Sequence, residues 1–128
     1  MIINYLNAKQ AASEVYLHDA NLKCIKWNID SNNIEMQLFD TWNQQDVEII
    51  FVQTYAVLGE NFHPWGDIAG INEWTIDLNL TKELSDFLNS TKIVIDEKIK
   101  SKILTVEIEF LSGDYLQIVC QEIHVNVV

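Results

Sequence analysis

The feature that most constrains this chain is a strict two-residue alternation of apolar and polar side chains that recurs along most of its length. In Lys23–Ile29, the residues Ile25, Trp27 and Ile29 share one side and Cys24, Lys26 and Asn28 the other. Ile34, Met36 and Leu38 alternate with Glu35, Gln37 and Phe39; Trp74, Ile76, Leu78 and Leu80 alternate with Thr75, Asp77 and Asn79. Leu104, Val106, Ile108 and Phe110 repeat the pattern around Thr105, Glu107 and Glu109. Successive side chains of a strand point to opposite faces, so such a chain folds as half-buried β-strands. Asp30-Ser31-Asn32-Asn33 is rich in turn formers and predicts a hairpin between the first two segments. Leu111-Ser112-Gly113-Asp114 predicts a tight turn into Tyr115–Cys120, and Ile123, Val125 and Val127 end the chain.

Three segments depart from the alternation. Val47–Leu58 is apolar on both sides and predicts one central strand covered on both faces. In Thr81–Ser90, Leu84, Phe87 and Leu88 recur at helical spacing behind a Thr81 N-cap. Near the N-terminus Ala8, Ala11, Ala12 and Val15 share a helical face. Lys92–Ile99 reads as a further strand, with Ile93 and Ile95 on one side. The expected fold is mainly β (α+β): an antiparallel sandwich or open barrel with one or two short helices. The 128 residues make one β-rich domain, 1–128, without repeat or linker. Ile25, Trp27, Ile76, Leu78, Val106, Ile108 and Ile118 are expected to share its core, with Trp42 and Trp74 also packed inward.

Charge narrows the function. Nineteen acidic residues face eight basic ones, all lysine, for a formal net charge of −11. A nucleic-acid binder needs clustered cations to displace counterions from phosphate, so nucleic acid is an unsuitable partner and so is an anionic bilayer. No apolar run approaches the ~20 residues of a membrane span, and the N-terminus lacks the pattern of a secretory signal. The expectation is a cytoplasmic protein whose partner, if it has one, is a basic protein. Cys24 and Cys120 lack metal or redox spacing, and each lies in a strand-like run. Both are expected to be buried free thiols.

The stretch GENFHPWGDIAGINEW, Gly59 to Trp74, gathers the only proline, three of four glycines, two of four tryptophans and one of three histidines. Pro64 fixes one backbone angle, and Gly66 and Gly70 permit others, which is what a strand-to-strand crossing requires. His63, Asp67 and Glu60 carry polar chemistry, but no spacing forces them together. The stretch is weighed first as a connector, then as a binding loop, and last as a catalytic one. As a binding loop it would act through Phe62, His63, Trp65 and Asp67, with Trp65 the exposed contact.

His18-Asp19 is an adjacent pair that could serve a metal or an acid–base site. On an extended chain the two would point apart, so Asp19 is expected to cap a turn with His18 half-buried beside it. His124, between Ile123 and Val125, is expected to face solvent. No GxGxxG, Walker loop, HExxH or GxSxG is present. No catalytic residue, metal ligand or cofactor is assigned, and the chain reads as a non-enzymatic module.

LHDANLKCIKWNID followed by IEMQLFDTW, with the later SGDYLQIVC, resembles a pattern in small uncharacterised bacterial β-rich proteins. In these an "HD-small" turn precedes the first strand, and some are similar to immunity proteins of toxin systems. The resemblance covers residues 17–42 and 106–125. It implies a β-rich fold and assigns no role to His18 or Asp19. Two functions follow as expectations: an acidic protein-binding module of immunity-like kind, or a small-molecule binder with a pocket under the 59–74 loop.

Overall fold

A computed structural model describes residues 1–60, 70–91 and 95–128. The alternating segments form strands as their periodicity requires. In chain order these are β1 (Ile2–Ile3), α1 (Ala8–Glu14), β2 (Asn21–Asn28), β3 (Asn33–Asp40), β4 (Gln45–Val52) and β5 (Ala56–Glu60). Then come β6 (Ile71–Asp77), α2 (Lys82–Ser90), α3 (Glu97–Lys100), β7 (Leu104–Phe110), β8 (Tyr115–Cys120) and β9 (Glu122–Val127).

Two antiparallel sheets result. One has five strands in the order β1-β9-β4-β3-β2, the other four in the order β5-β8-β7-β6. They pack as a sandwich, and the described strands form no closed barrel. Inward residues of both sheets share one core: Met36, Leu38, Ile49 and Phe51 from the first, Val106, Ile108, Leu116 and Ile118 from the second. Ile25, Ile76 and Leu78 pack against it partly buried.

The Val47–Leu58 segment is two strands. Gln53 adopts φ +52, in the left-handed region that non-glycine residues seldom occupy. There the chain leaves β4 in the first sheet and enters β5 in the second. The Gln53 N–H donates to Asn33 Oδ1 at 3.1 Å, and the Thr54 N–H to Asn32 O at 2.9 Å, which hold the switch. In β4, Val47, Ile49 and Phe51 are buried while Glu48, Ile50 and Val52 are half-exposed, so it is covered on one face. The strand covered on both faces is β8, where Leu116 through Cys120 are all buried.

Its second cover is helical. The Thr81 hydroxyl accepts from the Leu84 N–H at 3.2 Å, capping α2, and Leu84 and Leu88 turn inward onto Ala56, Ile95, Ile103 and Val119. The expected strand Lys92–Ile99 ends instead in the single-turn helix α3, Glu97–Lys100, because Asp96 Oδ1 accepts from the Lys98 N–H and starts it. Of the remainder of that expected strand, Ile95 and Asp96 form no strand, and residues 92–94 lie outside the described residues.

The N-terminal helix buries Ala8 and Ala11 between β1 and β6. Small side chains let it lie close against the sheet edges. Trp74 is 8% exposed, and its indole Nε1–H donates to Val15 O at 3.1 Å, at the end of this helix. At Gly70, just before β6, an added Cβ would lie 2.8 Å from Leu111 Cδ1, the tip of an exposed side chain that would have to shift. Gly113, at φ +90, makes the turn between β7 and β8.

Candidate functional site

The binding residues expected from sequence, Phe62, His63, Trp65 and Asp67, lie outside the described residues. What is described are the ends of their stretch. It leaves β5 at one edge of the four-stranded sheet and re-enters at β6 on the other edge. It does not leave a central strand, because the chain has changed sheets at Gln53.

The structure brings other residues together at a corner formed by the turn before β2 and the β3–β4 loop. The turn is stitched to β6: the Asp19 N–H donates to Ile71 O and the Ile71 N–H to Ala20 O, each at 2.8 Å. Asp19 takes φ +65, a conformation that aspartate tolerates better than most residues. That left-handed turn swings its carboxylate back toward the preceding side chain. His18 Nε2 and Asp19 Oδ1 lie 3.5 Å apart, so the pair converges where an extended chain would have separated it.

The geometry does not make an acid–base dyad. His18 Nδ1 lies 2.8 Å from Asn72 O, and since a carbonyl only accepts, Nδ1 carries the proton. The carbonyl holds the ring, and the carboxylate stands beside the nitrogen that would have to take up a proton. Among the described residues no group of three or more His, Cys, Asp or Glu is placed to hold a metal ion.

Aromatic rings gather around His18. Tyr16 lies 6.1 Å from it and 5.9 Å from Trp42, edge to face. Tyr16 is 61% and Trp42 63% exposed, so Trp42 is not the core residue its neighbourhood predicted. Trp42 sits in the β3–β4 loop beyond the cover of the opposing sheet, yet it is anchored. Its indole Nε1–H donates to His18 O at 3.1 Å, and its backbone N–H to Asp40 Oδ1 at 3.0 Å. Asp40 also accepts from the Asn43 backbone and side chain. Burial pushes the Asp40 carboxyl up, but hydrogen bonds from Asn43, Trp42 and Gln45 outweigh it and hold the carboxyl below its usual value. A groove of about 480 Å³ adjoins Tyr16 and is lined by Glu14, Asp40, Asn43 and Val125, among others.

A second groove lies between edge strands β2 and β5. It holds about 410 Å³ and is lined by Ile25, Trp27, Ile34, Tyr55 and Val57, among others. Trp27 shares the inward parity of Ile25, but it lies near the end of an edge strand. It is 61% exposed, contrary to the expected core placement. Its Nε1–H donates to Asn32 Oδ1 at 3.2 Å, and Asn32 Nδ2 in turn donates to Thr54 O.

Cys24 is exposed, also contrary to expectation, because its face of β2 is uncovered; Cys120 is buried. Burial pushes the Cys120 thiol up to about 12. His124 is half-buried and lies 2.8 Å from Glu122 Oε2, rather than standing free in solvent. No described helix is long and apolar enough to cross a membrane.

Comparison with known proteins adds little to this geometry. No family model and no curated protein matches the chain. A solved structure described as an uncharacterized protein from Neisseria gonorrhoeae is similar over 100% of this chain and 99% of that one. Its identity is 14% and its TM-score 0.38, and no functional argument rests on it. The aromatic corner was hidden in the sequence because Tyr16, His18 and Trp42 carry no motif. Only the left-handed turn at Asp19 and the folded β3–β4 loop bring them together.

Proposed function

We propose that this chain is a non-enzymatic binding module that captures a basic protein, in the manner of the immunity-like proteins its turn-and-strand pattern resembles. The observation that carries the reading is an exposed aromatic pair, Tyr16 and Trp42, of which Trp42 is anchored by hydrogen bonds, on a chain of net charge −11. Large aromatic side chains dominate the energy of protein interfaces. Anchoring Trp42 in advance lowers the entropy cost of association. Three of the eight lysines, Lys23, Lys26 and Lys100, are paired with Asp46, Glu35 and Glu97. The test is capture of partners on the immobilised chain, followed by titration of the purified partner at low and high salt. A partner of net positive charge should bind at least about tenfold more weakly at high salt, as screened attraction requires. An acidic partner, or one indifferent to salt, would refute the reading.

A second reading is a small-molecule binder, favoured by the groove beside Trp27. Its volume of about 410 Å³ falls within the range of ligand pockets, and its lining is aromatic and aliphatic with few polar groups. None of its described lining residues belongs to the 59–74 stretch, of which residues 61–69 lie outside the described residues.

A further inference from the structure

We infer that the Tyr16–Trp42 corner is a socket for a cationic side chain, an arginine or lysine carried on an exposed segment of the partner. This rests on the binding reading above and names the chemistry that reading would use. Three observations converge. The first is the ring pair: centroids 5.9 Å apart and planes at 65°, with both residues mostly exposed, so ring surface stays open to solvent. The face of an aromatic ring carries negative potential and attracts a guanidinium or ammonium group.

The second is the distribution of charge. Asp19 stands at the His18 end of the corner, its side chain 47% exposed. Glu14 lines the groove that adjoins Tyr16. No described lysine lines that groove; the α-ammonium of Met1 does, and it donates to Val125 O at 2.9 Å. The corner therefore has one carboxylate, Asp19, beside His18 and another, Glu14, in the groove that Tyr16 lines.

The third is rigidity. The Trp42 indole is tied to His18 O, its backbone to Asp40, and His18 itself to Asn72 O across the sheet. A basic segment could enter along the groove of about 480 Å³ beside Tyr16 and lay its cation over the rings.

Blocked hexa-arginine and hexa-glutamate peptides serve as probes, read by ¹H–¹⁵N spectra of the full chain at low salt. The indole N–H signal of Trp42 should shift saturably with hexa-arginine, that of Trp27 should not, and hexa-glutamate should shift neither. Tyr16→Leu, which removes a ring and breaks no observed hydrogen bond, should weaken hexa-arginine binding by about fivefold. Tyr16→Phe keeps the ring and should stay within about twofold of the parent, since the attraction comes from the ring face. Trp42→Leu should weaken binding at least as much as Tyr16→Leu. If Trp42→Leu fails to fold, the Tyr16 pair still decides. Binding of hexa-arginine that is indifferent to Tyr16→Leu would overturn the socket while leaving an acidic capture surface intact. Failure of hexa-arginine to bind at all would overturn both.

Discussion

Replacing Trp74 and Trp27 separately by alanine tests the placement of the two sheets, because sequence parity makes these residues equivalent and the fold does not. Trp74 is 8% exposed. Removing its side chain takes away roughly 200 Å² of buried surface, which at about 25 cal/mol/Å² is about 5 kcal/mol, an upper estimate. Measured truncations of buried aromatic residues cost about 3–5 kcal/mol. The loss of the Nε1–H bond to Val15 O adds about 1 kcal/mol. A total near 4–6 kcal/mol is a large part of the stability of an ordinary domain. With an unfolding entropy of about 2.1 cal/mol/K per residue, it lowers the melting temperature by roughly 15–22 °C. Trp27 is 61% exposed and borders an open groove, so its truncation leaves no sealed cavity. Less than half of its surface is at stake, and water can replace its bond to Asn32. A cost of about 1–2 kcal/mol, or roughly 4–7 °C, follows. Circular-dichroism melts of the two variants measure both. If Trp27→Ala destabilises as much as Trp74→Ala, the β2 edge is covered and the open side of the sandwich has been misread.

Three further outcomes are expected. In the native protein Cys24 should react rapidly with a thiol reagent, while Cys120, buried and with its thiol pushed up to about 12, should react only after unfolding; labelling of both at one rate would contradict this. Asp40 has a folded pKa below the unfolded value near 3.8, so its stabilising effect is complete above that pH and is lost as pH falls through the folded value. Asp40→Asn should therefore destabilise the protein at neutral pH and converge with the parent in acid, as denaturation midpoints across pH would reveal. Thr81→Ala removes the cap of α2 and should cost about 1 kcal/mol in denaturant unfolding, with the change confined to stability.

The local elements were legible in the residues. A period of two marks strands wherever one face is buried, and β2, β3, β6 and β7 follow it. Thr81 marked the start of α2, and the Asp30–Asn33 and Leu111–Asp114 turns were marked by residues that favour them. These signals are short-range, since a cap or a turn is decided by atoms a few residues apart. Parity likewise said which side chains share a face, and on that count Ile25 and Trp27 were paired correctly.

Whether a face is covered is a different question, decided by what the other sheet and the helices place opposite it. Trp27 and Cys24 are exposed because β2 is an edge strand, and Trp74 is buried because α1 closes the side where β6 lies. Val47–Leu58 could be read as one doubly covered strand until Gln53 sent its halves into different sheets. The aromatic corner depends on the same kind of event. Asp19 reverses the chain, and Asn72, more than fifty residues away, holds the ring of its neighbour. Sequence alone determined most of the elements, though not α3 or the break at Gln53, and the acidic, arginine-free character of the chain. Tertiary structure alone decided which tryptophans face solvent, because coverage depends on strands that are distant along the chain and adjacent only after folding.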